Sequence, residues 1–321
     1  MKAKTHIAHL DTARALSMLW IIGIWHLSAS IFNFPSLKAP CWNYLTTISL
    51  ATFTFLSGFF LSQYATITRW SDTWAFYKRR LLRFYPWYVL ACCSMYAAYL
   101  ICQNDAMMNL KQFILSCCGL SSIIGPAPIT LWYMSMLMFF YFITPVFLWQ
   151  EKWMVRSLLF IFFEILFIAG VYVLNTDYRV SLYFPFYIIS FFIKEKQRQI
   201  ILRPDFHRGG YLLCMISLIV SLLFVNKILW PYKLIIAVLG VASIILISYY
   251  ISRNRFFCKA FSLISIASLI AYLFHSQYYW CAELILGKLN FALAYLVIFP
   301  SLVLLSYFSQ LSYNLLLKKQ V

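Results

Sequence analysis

Ten apolar runs, most of them about 20 residues long, divide this chain. That length is what a helix needs to cross the hydrocarbon core of a bilayer. They fall at 10–32, 44–66, 83–103, 129–149, 157–175, 180–194, 211–226, 229–251, 261–282 and 291–316. Composition removes the alternative. Of 321 residues, 63% are hydrophobic, 20% aromatic and only 11% charged, whereas a soluble domain carries about 25% charged residues. No water-soluble fold of this length hides so much apolar surface. The expectation is an all-α, polytopic membrane protein with about ten transmembrane helices, forming one integral-membrane domain over 1–321. The runs 180–194 and 211–226 are short. The stretch 112–124, QFILSCCGLSSII, is shorter again and is expected as an interfacial or re-entrant piece rather than a further span.

Charge sets the orientation. With the N-terminus inside, the cytoplasmic segments hold 19 of the 26 Lys and Arg residues and the outer loops hold 6, with Arg14 inside the first span. Such a bias predicts cytoplasmic N and C termini. It also gives the net charge of +17 a topological explanation, so no nucleic-acid partner is expected.

Nine cysteines are present, none in a CxxC or in a Cys/His cluster with zinc spacing. No metal is expected. Most lie in apolar runs, where cysteine behaves as a small hydrophobe. Lys2, Lys4, the first apolar run and Ser28-Ala29-Ser30 loosely follow the plan of a cleavable signal peptide. Asp11, Arg14 and His26 are poor signal-peptide residues, and the run is read as the first span.

Polar groups inside a membrane are costly, so each is a functional hypothesis by default. In LDTARALSMLWIIGIWHL, Asp11 and Arg14 are spaced i,i+3 and can pair on one helix face. Taken alone, Arg14 reads equally well as a snorkelling cation and His26 as an interfacial or buried, hydrogen-bonded histidine. Their spacing carries more information. At 100° per residue, eleven positions would return the chain to nearly the same face, but the step from Arg14 to His26 is twelve and lands about 120° away. A π-type turn absorbs one extra residue, and such turns favour functional sites. An irregular turn is therefore expected between Arg14 and His26, with Gly23 as its natural place.

Three further clusters stand out. In YKRRLLRFYPWY, Arg80 and Arg83 project together if the helix already runs there. Two guanidiniums recognise phosphate with fork geometry; the plainer reading is a positive-inside flank, with Pro86 loosening the next turn. In FTFLSGFFLS, Ser57 and Gly58 suit close helix packing. In LWYMSMLMFFYFITP and LISIASLIAYLFHSQ, Trp132 and Tyr133 sit where an aromatic belt is expected, and His275 falls at a depth similar to that of His26.

These clusters, in this order and over nearly the whole chain, resemble the integral-membrane acyltransferase family 3, the group that includes bacterial surface-polysaccharide O-acetyltransferases. The motifs that carry the resemblance are LDTARALSMLWIIGIWH, FTFLSGF, RRLLRFYPWY, LWYMSMLMFFYFITP and LISIASLIAYLFHS. The resemblance implies a single acyltransferase domain in the bacterial cytoplasmic membrane. Its reaction would be transfer of an acyl group, usually acetyl from acetyl-CoA, to a hydroxyl of a cell-surface or lipid-linked glycan, with membrane lipids around it. It implies that His26 is catalytic, with Asp11 grouped beside it, and that Arg14, Arg80 and Arg83 handle the acyl-CoA donor. Ser57, Trp132, Tyr133 and His275 are then expected to support the substrate site. Two features depart from the family pattern. Relatives often carry a glutamate after the aromatic pair of the fourth helix, and WYMSMLMFF has no acid. The family's usual interval between the first-helix arginine and histidine is ten residues, and here eleven intervene. The competing readings are a transporter or flippase of a lipid-linked glycan, acylation of a small-molecule acceptor, and a non-catalytic membrane sensor. Against the transporter stands the lack of an evident repeat or of Gly/Pro-broken helices.

Overall fold

A computed structural model describes residues 7–31, 40–62, 67–102, 109–124, 130–150, 152–193, 195–223, 230–286 and 293–320. Lys2, Lys4, Lys38, Lys194, Lys227 and Lys288, which enter the charge bias, lie outside the described residues. All regular structure among the described residues is helical. In chain order the helices are α1 (Ala8–Met18), continued by a π segment (Leu19–Ile31), α2 (Pro40–Leu61), α3 (Trp70–Cys102), α4 (Leu110–Cys117), α5 (Trp132–Trp149) and α6 (Trp153–Leu174). Then come α7 (Arg179–Phe192), α8 (Glu195–Leu202), a 3₁₀ turn (Pro204–His207), α9 (Arg208–Leu223), α10 (Trp230–Ser252), α11 (Arg255–Leu286), a second π segment (Ala294–Ile298) and α12 (Phe299–Gln320).

Within the described residues, each of the ten apolar runs is mainly helical. Among the described residues, seven helices are long and apolar enough to cross a membrane: Cys41–Leu61, Trp70–Ile101, Trp132–Trp149, Trp153–Leu174, Tyr232–Ser252, Arg255–Leu286 and Ala294–Leu317. The molecule is a multi-pass membrane protein. Arg179–Phe192 and Arg208–Leu222 are apolar but shorter. The stretch 112–124 becomes the last six residues of α4 and a turn. Asn109 and Gln112 close a reciprocal cap at the start of α4, and Gly119, at φ +72°, supplies the left-handed residue of the turn that follows.

The chain divides into two compact units. The first holds residues 1–56 and 193–321, the second residues 57–192. In the first, α1 packs on α10 and α11, α9 on α10, and α12 on α11. Its core includes Tyr44 and Ile48 of α2 with Leu218 of α9 and Ile236 of α10. Gly240 lets α10 lie against Ile48, because a Cβ there would sit 2.4 Å from that side chain.

The second unit packs α3 on α4 and α5, and α7 on α5 and α6. Pairing of α3 with α4 is antiparallel. Tyr96 stacks on Phe113 with ring centroids 4.7 Å apart, and three turns earlier on α3 the Tyr85 hydroxyl donates to the Cys117 carbonyl at 2.9 Å. A layer of phenylalanines joins α5, α6 and α7: Phe140, Phe147, Phe163 and Phe167 surround Phe184. Gly58, at the end of α2, meets α7 so closely that a Cβ would stand 2.2 Å from the Tyr187 carbonyl oxygen. This is the small-residue packing expected of the Ser57-Gly58 pair, with Ser57 half-buried beside it.

Candidate functional site

The irregular turn expected in the first helix is present and extensive. From Leu19 to Ile31 the backbone is π-helical. Five α steps of about 100° and seven π steps of roughly 80° carry His26 to within about 20° of the Arg14 face. The extra residue is thus absorbed. α1 and its π continuation both face α11.

Two tyrosines hold the π segment in place. Tyr279 of α11 donates to the Ile22 carbonyl at 3.2 Å. Tyr295, in the second π segment, donates to the Gly23 carbonyl at 2.8 Å. Gly23 is buried, and a Cβ there would stand 3.1 Å from the Phe299 ring. The glycine lets that ring lie against the helix backbone. Trp20 stacks on Trp42 of α2, with ring centroids 5.3 Å apart, and donates through its indole N–H to the Thr46 hydroxyl at 3.2 Å.

Held this way, the His26 ring meets that of His275 on α11. Their centroids are 4.6 Å apart and their planes differ by 54°. Shared depth was what the sequence offered; the structure adds proximity. His275 is completely buried, whereas His26 is half-buried. The Nδ1 of His275 lies 2.7 Å from the Tyr272 carbonyl oxygen. Tyr272 and Tyr279 pack their rings around it at 5.7 and 6.0 Å.

At the other end of α1, Asp11 and Arg14 pair as expected, 3.6 Å apart. Asp11 also accepts from the Ser265 hydroxyl of α11 at 3.1 Å. Arg14 keeps about a quarter of its side chain exposed at 27%, so the pair is open on one side. Asp11, grouped with His26 in the sequence reading, thus lies four turns before it along the first helix and partners Arg14.

The remaining expected residues belong to the second unit. Arg80 and Arg83 lie three apart on the unbroken helix α3, so they project together as the spacing requires. Arg80 is half-buried, with its guanidinium 6.0 Å from the Phe76 ring, and Arg83 is exposed. Trp132 and Tyr133 are buried rather than belted at a membrane surface, at 7% and 4% exposure. Trp132 is covered by the Arg179 guanidinium, 3.6 Å from the ring centroid, which Asp177 in turn holds through both carboxylate oxygens. Sequence reading placed Arg179 among outer-loop charges and missed this cluster. It also passed over Glu164, an acid in the middle of the apolar helix α6 that accepts from the Ser181 hydroxyl at 3.0 Å. The signal for it was a lone acid in an otherwise apolar run. Among the described residues, no three His, Cys, Asp or Glu side chains gather into a group able to hold a metal ion.

The fold is that of a helical, multi-pass membrane protein whose irregular first helix brings two histidine rings together. The model of an acyltransferase domain, that of acyltransferase family 3, matches residues 7–310. The chain belongs to acyltransferase family 3. No curated protein and no solved structure matches it.

Proposed function

We propose that this acyltransferase moves an acyl group, usually acetyl, from acetyl-CoA supplied on the cytoplasmic side to a hydroxyl of a cell-surface or lipid-linked glycan, in a bacterial cytoplasmic membrane. The observation that carries the reading is the placement of His26. The π segment turns it onto His275 instead of leaving it on a lipid-facing side of the helix.

On this reading the chain crosses the membrane ten times with both termini inside. Arg14 then lies near the cytoplasmic surface and His26 in the outer half. The rise between them is at most about 18 Å at α-helical pitch, comparable to an extended pantetheine arm. In the second unit Arg80 and Arg83 are assigned the CoA phosphates through guanidinium forks, and in the first unit Arg14, oriented by Asp11, is a further donor-handling residue. The thioester reaches His26. There His26 acts as general base on the acceptor hydroxyl, whose oxygen attacks the acyl carbon as the thiolate of CoA leaves. The proton held by His26 passes to that thiolate. Ser57, Trp132 and Tyr133 in the second unit and His275 in the first are each assigned to support of the acceptor.

Purified protein in lipid nanodiscs is incubated with radiolabelled acetyl-CoA, and release of CoA and self-labelling are followed. Wild type is expected to release CoA, and His26→Ala to lose about 10²-fold or more of that rate. Full transfer by His26→Ala sinks the assignment. A stable label on His26 replaces the base step by an acyl-histidine intermediate. Mass spectrometry of surface glycans from cells with and without the gene then identifies the acceptor.

A further inference from the structure

A carbonyl oxygen can only accept a hydrogen bond. The His275 Nδ1 that stands 2.7 Å from the Tyr272 carbonyl therefore carries the ring proton. In a neutral imidazole the lone pair is then on Nε2. That nitrogen is buried and has no hydrogen-bond partner among the described residues. A buried acceptor without a donor costs free energy, and such a group calls for an explanation.

The neighbours narrow what the lone pair serves. Tyr279, whose ring packs at 6.0 Å, spends its hydroxyl proton on the Ile22 carbonyl. His26 is the nearest ring, at 4.6 Å, and it is the more exposed of the two. His275, fully enclosed, has no face on which to meet a substrate directly and acts through its neighbour.

We propose that His275 is the positioning residue for His26: the two facing rings, 4.6 Å apart and not hydrogen-bonded to each other in this structure, tighten in the reacting complex, where His275 Nε2 accepts the N–H that His26 turns away from the substrate. This rests on the reading of His26 as the base of acyl transfer. With one N–H anchored on His275, the other ring nitrogen of His26 presents its lone pair to the acceptor hydroxyl. When the hydroxyl O–H breaks, its proton goes to that nitrogen and His26 becomes an imidazolium with two N–H donors. The new O–C bond forms, the C–S bond breaks, and the CoA thiolate takes the proton from His26. The anchoring hydrogen bond strengthens while His26 is charged and weakens afterwards. It favours the transition state over the bound ground state, so its loss falls on kcat and not on the donor KM.

The test compares His275→Leu, which removes the acceptor, with His275→Gln, whose amide oxygen restores one. Both are reconstituted in nanodiscs, their melting is measured, and CoA release is followed at varied acetyl-CoA. His275→Leu is expected to lose about 10²-fold in kcat with the donor KM within about threefold of wild type, and His275→Gln to recover about tenfold of the loss. Carbethoxylation of His26 by diethyl pyrocarbonate, read by mass spectrometry, is expected to slow in His275→Leu and to return partly in His275→Gln. A folded His275→Leu protein with wild-type kcat overturns the proposal, as does a folded His275→Gln protein no better than His275→Leu. If His275→Leu does not fold, the comparison of His275→Gln with wild type decides: a kcat below about a thousandth of wild type, or unchanged His26 carbethoxylation, overturns it. Failure of wild type to release CoA from any acyl-CoA defeats the acyl-transfer reading instead, and the carbethoxylation rates still decide the role of His275.

Discussion

A glycine in the first helix has the Phe299 ring against its backbone and the Tyr295 hydroxyl on its carbonyl, and the position of His26 depends on both. Gly23→Ala would place a methyl group 3.1 Å from that ring. The ring must retreat by a few tenths of an ångström or the π segment must turn. Overpacking of this kind costs about 1–3 kcal/mol. Gly23→Ala is therefore expected to lower both Tm and the rate of CoA release, and the double variant Gly23→Ala/Phe299→Leu to recover most of each. Additive losses in a double-mutant cycle would show that the ring does not transmit the strain. The oddity of this stretch was legible in the sequence, since a step of twelve positions between two polar groups does not fit an α-helix with one working face. Its length was not. A sequence marks that a residue must be absorbed, while the 13-residue extent of the π segment depends on tyrosines from α11 and the second π segment. The partner of His26 was legible only as a depth, because apolar runs do not encode which helices become neighbours. Arg179 over Trp132 was hidden for the same reason: the aromatic pair reads as a membrane belt until a cation from another helix is seen to cover it.

Helix existence followed from hydropathy, and helix ends did not. α3 begins at Trp70, well before the apolar run that starts at 83, and its first turns, which carry Asp72, Lys78, Arg79 and Arg80, are too polar to show in the hydropathy. They are helical through continuity with the span and through contacts such as the Tyr77 hydroxyl on the Phe142 carbonyl at 2.6 Å. That early start gives Arg80 and Arg83 a common face. α11 likewise begins at Arg255, ahead of its apolar run at 261. Pro86, Pro145 and Pro185 all sit inside helices, as spans stabilised by their neighbours allow. The close approach of α2 to α7 differs from that at Gly23 in what stands opposite. At Gly58 the obstacle is the Tyr187 carbonyl, 2.2 Å from a built Cβ, and backbone cannot swing aside. Gly58→Ala is expected to destabilise by about 3 kcal/mol or more, read as a large fall in Tm or in the yield of folded protein. Trimming the side chain at Ser190, whose hydroxyl is the other near contact at 2.5 Å, is expected to restore little of it. A Gly58→Ala protein that melts like wild type would mean that α7 does not approach α2 as described.

At the scale of the molecule, exposed apolar surface and buried polar groups concentrate on different helices. α6 turns almost all of its apolar length outward, with Leu158, Phe162, Ile165 and Leu166 half or more exposed, and it closes the second unit toward the bilayer. α1 is the reverse, with Leu10, Ala13, Ala15 and Met18 wholly buried. The helix that carries Arg14 and His26 is thus an interior one, which is why it tolerates polar groups and an irregular backbone. On the proposed reading, the 19 to 6 bias of basic residues reflects a cytoplasmic placement of Arg80 and Arg83, where they bind the phosphates of CoA. Phosphate binding is equally strong before and during acyl transfer, so it contributes to KM and not to kcat. Arg80→Ala is accordingly expected to raise the KM for acetyl-CoA by about 10-fold while kcat stays within about twofold. Arg80→Lys keeps the charge but not the planar fork, and its KM should fall between the two. The half-buried Arg80 is expected to matter more than the exposed Arg83, since a shielded guanidinium is less screened by solvent and salt. An unchanged donor KM in Arg80→Ala would remove the arginine from the donor site and leave it as a positive-inside flank, and the search for the CoA phosphates would then turn to the Asp11–Arg14 end of α1.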